Sequence, residues 1–447
     1  MTPRLRYIWK RLQTPAGRWQ IGRGLWFSCW PLVSRLAWLH RRTLARRVRV
    51  VAVIGSYGKT TTTRATLVAL GLPLRWQNQS NAWSNVAGAI LRIMPWHRYA
   101  VIEVGIDGVG QMARYASIVK PDIVVVTSIG SEHRRSLGSE ETTRHEKADM
   151  ARALSGGGMV VVNGDDANVL WMGAQTTACK MSFGFAEANH VRASGAELDW
   201  PNGTRFTLHT GDQNRRVCVR LIGETMLYPV LAAIAVAQAE GFELTQVLAR
   251  LGQLPPTPGR LEPLELPNGA WILRDDFKSG VETFDPALAA LELISAHRRW
   301  VVFGDVTEPP GSQGPIYRRI GERVGLLADR FVIIGPNAQR YATGAQATGL
   351  HRSAISAPGR RVSGALKLLS AELRLGDVIL IKGRHDQRLE RVTLALQGHE
   401  VRCDIERCEV KVRSCSNCPM LTRGWSFGSS QHRESDSENP VSPNDIR

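Results

Sequence analysis

The sequence predicts an α/β protein: a central P-loop domain with a doubly wound, mostly parallel sheet, followed by a second, Rossmann-like α/β domain. Three observations predict this. Apolar β-branched runs recur at intervals long enough for helical crossovers. One of these runs passes straight into a glycine-containing loop and then a helical pattern. A stiff Pro-rich stretch, Leu254-Pro-Pro-Thr-Pro-Gly259, divides two such series.

The first 47 residues stand apart. Residues 1–50 hold 12 Lys or Arg and no acid, whereas the other 397 residues carry 45 basic against 40 acidic groups, so most of the +17 charge sits at the front. So balanced a body, with no nucleic-acid reading motif, argues against nucleic acid as the partner. Trp9, Trp19, Trp26, Trp30 and Trp38 lie among the basic residues. Trp/Arg segments suit the interface of an anionic membrane; equally, the rings can pack on the protein body with the arginines solvated. The apolar stretch Leu25–Leu39 is only 15 residues long and is broken by Pro31, Ser34 and Arg35, too short to cross a bilayer. No small-residue cleavage site follows it. The expected location is therefore cytoplasmic, with contact at the inner membrane face through residues 1–47.

The central domain is expected over 48–259. Val48–Ile54 is almost wholly apolar and β-branched, as a central parallel strand requires. Further strands are expected at Ala100–Val104, Ile123–Thr127 and Met159–Val162, a small β insert over 190–222, and a helix at Leu231–Ala239. The second domain, 260–400, repeats the α/β pattern with strands at Trp271–Leu273, Trp300–Phe303, Phe331–Ile334 and Val378–Ile381. Residues 401–421 then hold Cys403, Cys408, Cys415 and Cys418, while Cys29, Cys179 and Cys218 are scattered singly. Four thiolates within 16 residues can surround one Zn²⁺, and the Cys-x-x-Cys half has the spacing of a zinc knuckle. Redox-active or idle thiols, or an iron–sulfur cluster, fit the spacing too. Residues 422–447, poor in aliphatics, are expected to be a disordered tail.

The chemistry concentrates after the first strand. In Gly55-Ser56-Tyr-Gly58-Lys59-Thr60-Thr61 the glycines let backbone N–H groups face phosphate oxygens. Lys59 can neutralise the β/γ charge, and the Thr60 hydroxyl can ligate Mg²⁺. Two residues separate the glycines where the common P-loop has four. The plain alternative is a tight βα turn with an exposed lysine.

With this shortened loop the chain resembles the Mur ligases, ATP-dependent amide-forming enzymes of peptidoglycan synthesis. The other motifs follow in order: Glu103-Val-Gly105, Pro121-Asp122, Thr127-Ser-Ile-Gly130, Glu132-His133, Leu137-Gly-Ser139, Glu141, Lys147 and Asn163-Gly-Asp-Asp166. Pro258-Gly-Arg260-Leu-Glu262, Asp275-Asp276, Phe303-Gly-Asp305 and Ile381-Lys382-Gly-Arg384 continue it, so the likeness covers roughly residues 48–395. It implies a ligase in which the γ-phosphoryl of ATP activates a carboxylate and an amine displaces phosphate from the acyl phosphate. It also implies that Thr60, Glu103 and His133 bind Mg²⁺, that Lys147 is carbamylated and so becomes a metal ligand, and that Arg260 and Asp276 help hold the nucleotide. The implied partners are a carboxylate acceptor and an amine donor from cell-wall precursor synthesis. For Lys147 the plain reading is a solvated helix charge, for His133 a hydrogen-bonding loop residue, and for Arg260 an ion pair with Glu262.

Three departures stand out. The helix after the β insert lacks the family's His and Asn. Phe277-Lys-Ser-Gly-Val-Glu282 replaces the Ser-Tyr-Asn-Ala-Asn-Pro of similar members. Only 47 residues precede the first strand, where the family carries a UDP-binding domain of about a hundred residues. The rival readings are a non-catalytic nucleotide-binding scaffold and a P-loop kinase.

Overall fold

The computed structural model describes residues 9, 12–78, 80–132, 134–410 and 414–425. His133 and most of the expected tail, 426–447, lie outside the described residues.

Two sheets organise the chain. The first has eight strands: β1 (Arg49–Ile54), β2 (Tyr99–Glu103), β3 (Ile123–Val126), β4 (Met159–Asn163), β5 (Cys179–Gly184), β6 (Val191–Asp199), β7 (Gly203–Thr210) and β8 (Gln213–Val219), in the order β2-β1-β3-β4-β5-β6-β7-β8. Strands β2 to β6 pair in parallel, and β6-β7-β8 form an antiparallel meander. The β insert is thus an extension of the sheet edge rather than a unit packed upon it. Strand β5 escaped the sequence reading because its first half, Cys179-Lys180, is exposed and polar.

Along β1, Val50, Ala52 and Ile54 face one core and Val51 and Val53 the other, the period-2 pattern of a strand buried on both faces. The helix expected at Leu231 begins at Leu227, because Pro229 in the first turn costs no intrahelical hydrogen bond. It runs to Ala239 and is buried over most of its length.

The second sheet comprises β9 (Glu262–Glu265), β10 (Trp271–Asp275), β11 (Arg299–Phe303), β12 (Arg330–Ile334), β13 (Ile355–Gly359) and β14 (Val378–Lys382), ordered β13-β12-β11-β14-β10-β9. Only β9 is antiparallel. A hydrophobic core lies on each face of this sheet.

The basic front folds into two helices, α1 (Pro15–Ser28) and α2 (Trp30–Arg42), of which α2 packs on the first sheet's helices α4 (Ser84–Leu91) and α5 (Gln111–Val119); α3 (Lys59–Ala69) follows β1. Trp30 meets the edges of Trp83 and Tyr115 at 5.5 and 5.7 Å. Buried Arg41 donates to the carbonyls of Ala45, Val119 and Lys120 and to Asp122. Ala16 and Trp19 of α1 pack with Val410 and Met420 of the cysteine-containing segment, joining the two ends of the described chain. Among the described residues no helix is long and apolar enough to cross a membrane.

Candidate active site

In a doubly wound sheet the crevice opens at the carboxyl ends of strands where the order reverses. Here β1 lies between β2 and β3, and the loops after β1, β2 and β3 meet segments of the second sheet around one cavity of about 550 Å³. Its lining includes Ser56, Gly58, Lys59, Thr60, Thr61 and Glu103 from the first sheet, and Arg260, Asp275 and Lys278 from the second half of the chain.

The loop after β1 is shaped by close contact. Gly55 has φ 138°, and a Cβ there would stand 2.1 Å from Thr127 Oγ1; Gly58 has φ 82°. Lys59 opens α3, is buried, and donates from Nζ to the carbonyls of Gly55 and Ser56 at 2.8 Å each. It also reaches Glu132 at 3.4 Å. Burial lowers its pKa to about 8, with Glu103 opposing and Arg260 reinforcing. This is not the exposed lysine of a plain turn. The first-turn N–H groups of α3 start at the cavity, where they favour an anion.

Lys147, on α6 (Glu140–Arg152), is buried beneath the loop, and its Nζ donates to Ser56 Oγ at 2.9 Å. Burial, and then the charge of Lys59, hold its pKa well below the usual lysine range. That overturns the solvated-charge reading, because the residue sits on the inward side of an otherwise polar helix. Glu103 ends β2, buried, with Asn81 donating to its Oε1 at 2.7 Å and Asn78 pairing both its backbone groups at 2.9 Å. The two asparagines had no signal in the sequence beyond their proximity to the loop.

From the other side, Arg260 stacks over Phe277 at 4.9 Å. Glu262 instead takes the Gly259 N–H and Arg274, so the Arg260–Glu262 ion pair is not formed. Of the aspartate pair, Asp275 lines the cavity and accepts from Lys382 at 2.5 Å. Asp276, the expected nucleotide residue, is not among the residues lining the cavity. Successive side chains alternate across an extended backbone, and Asp276 accepts from Arg274 at 3.0 Å while its buried Oδ2 has no hydrogen-bond partner. Burial raises its pKa to about 6.

Lys278 was not singled out in the sequence, although its segment was. It ion-pairs with Glu132, which also holds Lys59, so both lysines converge on one carboxylate. Nearby, Tyr57 Oη donates to Glu282 at 2.7 Å and the Ser131 N–H to the same carboxylate at 2.9 Å. At the far end, Phe183, Met226, Tyr228 and Pro229 make an apolar wall with Asp165, to which Tyr228 donates at 3.0 Å.

Among the described residues no three His, Cys, Asp or Glu side chains stand as a metal-holding set. For Mg²⁺ this is no obstacle, since that ion keeps waters and substrate phosphates and needs only one or two protein oxygens; the Thr60 hydroxyl and Glu103 carboxylate both line the cavity. For Zn²⁺, a structural site takes four protein ligands. Cys403, Cys408, Cys415 and Cys418 are all free thiols ringing one cavity of about 20 Å³, but they share it with Arg388 and Arg391. Burial raises the pKa of Cys415 and Cys418.

A model of the Mur ligase middle domain matches residues 53–237, and one of the Mur ligase glutamate ligase domain matches residues 259–385. The UDP-N-acetylmuramoyl-tripeptide–D-alanyl-D-alanine ligase of Escherichia coli (strain K12) is 29% identical over 366 residues, covering 81% of this chain and 79% of that protein. The ligase of the same name from Bacillus subtilis (strain 168) is 25% identical over 349 residues, covering 77% and 75%. Among solved structures, MurF from Acinetobacter baumannii superposes with TM-score 0.72 at 24% identity over 82% of this chain and 80% of that one. MurF ligase from Thermotoga maritima in complex with ADP gives 0.70 at 20% identity over 83% of each. At those identities the structural likeness speaks to the fold.

Proposed function

Because the chain belongs to the Mur ligase family and is an ATP-dependent, ADP-forming ligase, we propose that the 550 Å³ cavity is where it activates a carboxylate with the γ-phosphoryl of ATP. The amine would then displace phosphate from the acyl phosphate to leave an amide. The observation that carries this is two-sided: the phosphate loop and Glu103 come from one half of the chain, and Arg260, Asp275 and Lys278 from the other, around one cavity. We place the division between the halves at about Arg260, with 48–259 and 260–400 as the two catalytic domains.

Joining two anions is the difficulty of the first step, and this chain meets it with fixed positive groups. The α3 N-terminus and Lys59 hold the triphosphate, and Lys278 faces the same region from the second domain. Magnesium, held by Thr60 and Glu103, and by His133 as the family likeness implies, would supply further charge neutralisation. Burial of Lys147 supports its role as the carbamate, because a buried amine disfavoured as ammonium keeps the lone pair that adds CO₂. The apolar wall at Phe183, Met226, Tyr228 and Pro229 suits the nucleoside end, in place of the His and Asn absent from this chain. The acceptor is a carboxylate-bearing cell-wall precursor and the amine donor a small amino compound, with the reaction in the cytoplasm. Zn²⁺ at the cysteines would draw on the four thiols around their shared cavity; one equivalent in purified protein, lost in Cys415→Ser, is the result that would place it there.

The test is hydroxylamine trapping of the acyl phosphate across candidate precursor carboxylates, with ADP release as the second readout. Hydroxamate formation dependent on one acceptor is expected, and Lys59→Ala should lower it at least about hundredfold. ATP binding without turnover for any acceptor would favour the scaffold reading, and a stable phosphorylated product would favour a kinase. Lys147→Ala should lose activity and regain part of it with added short-chain carboxylates. No rescue at any concentration would remove the carbamate.

A further inference from the structure

The helix pair at the front resolves the two readings of its aromatic and basic residues by using different faces for each. On α2, Val33, Ala37 and Arg41 are buried and face the body, with Trp30 beside them. The opposite stripe, Leu32, Leu36 and Leu39, is 63%, 48% and 53% exposed. Those positions follow i, i+4, i+7, one side of a helix, and Arg35 lies on the same side. Of the eighteen exposed large apolar side chains among the described residues, nine fall between Trp9 and Leu44. A soluble body gains nothing from an outward leucine stripe, and a patch of this kind marks an interaction surface.

We propose that this face docks the protein on an anionic phospholipid surface. Charge decides the occupant. Residues 1–50 contain 12 basic side chains and no carboxylate, and Arg35, Arg46 and Arg47 are all exposed. A second copy of the same face would set guanidinium against guanidinium, whereas lipid phosphates complement it. The geometry suits a surface rather than a span. An amphipathic helix sinks about 5–10 Å into the headgroup region, roughly the outer half of a helix about 10 Å across. α2 presents only that half, and its inner half is fixed by the Arg41 hydrogen bonds and the Trp30 contacts. The inference concerns a surface apart from the nucleotide cavity, so neither its success nor its failure bears on the ligase assignment.

Vesicle co-sedimentation tests it, comparing phosphatidylglycerol/phosphatidylcholine vesicles with phosphatidylcholine alone. Binding to the anionic vesicles only, weakening as salt rises, is expected. Each basic residue at the surface adds about fivefold to partitioning, so Arg35→Glu with Arg46→Glu and Arg47→Glu should lower it at least about hundredfold. Leu32→Glu with Leu36→Glu and Leu39→Glu should abolish it while ATP turnover persists. Tryptophan quenching by brominated phosphatidylglycerol in the unaltered protein gives a readout independent of any variant. Absence of binding or of quenching, equal binding to neutral vesicles, or a leucine variant that binds normally overturns the proposal. So does a concentration-dependent dimer that the leucine variant dissolves, which would make the occupant a second copy.

Discussion

At the scale of single residues, the cavity is defined by basic side chains held against their solvation preference. Lys59 has its pKa lowered from 10.5 to about 8 chiefly by burial. The folded chain therefore binds fewer protons than the unfolded one between those pH values. Stability gains from this group as pH rises through that window, and the burial penalty is fully present below it. Triphosphate restores the ammonium, so nucleotide binding near pH 9 should take up protons. Calorimetry in two buffers of different ionisation enthalpy reads this directly, and proton release would contradict it. Lys59, Thr60 and Glu103 were legible from the sequence because their spacing follows strand ends. Lys278 and Asp275 were not, because which of several polar residues at and after the end of β10 faces a cavity depends on how that strand and the segment after it dock. The same reason separates Asp275 from its neighbour Asp276, which spends its charge on Arg274.

Among the elements, helices and loops divide into those that shape the site and those that anchor it. Tyr57 lies between two glycines: a Cβ on Gly130 would stand 2.7 Å from its ring, and one on Gly280 2.5 Å from its hydroxyl. Gly280→Ala should push apart the phosphate loop and the segment carrying Lys278, lowering turnover more than it lowers nucleotide affinity. Steady-state kinetics beside equilibrium ADP binding separates the two, and an equal loss in both would argue against this role. Helix α2 depends on Arg41, whose guanidinium satisfies three carbonyls and Asp122. Arg41→Ala removes the side-chain donor from the Val119 and Lys120 carbonyls, while Asp122 keeps the Val50 N–H and Ala45 the Val48 N–H, and should cost about 2 kcal/mol, measured by urea denaturation of the full chain. Sequence patterning identified the strands buried on both faces almost to the residue. It missed β5, β9 and β13, which carry no sustained apolar run and look like loop until a neighbouring strand supplies their hydrogen bonds.

For the molecule as a whole, the site exists only where two sheets meet. Bound nucleotide would touch both halves, so saturating ATP analogue should merge separate thermal transitions into one. It should add about 2.7 kcal/mol at a hundred times Kd, and scanning calorimetry that kept two unshifted transitions would contradict a shared site. The amino-acid sequence by itself determined the α/β class, the phosphate loop and the family, because each rests on local periodicity or on motif order along the chain. Tertiary structure alone decided that Arg260, Asp275 and Lys278 stand opposite Lys59, and that Lys147 is buried beneath Ser56 rather than solvated. It alone, too, turned the basic front into a helix with one face packed and the other bare. The reason is physical: burial and convergence are properties of surfaces brought together from distant parts of the chain, and spacing along the sequence carries no record of which surface a side chain will meet.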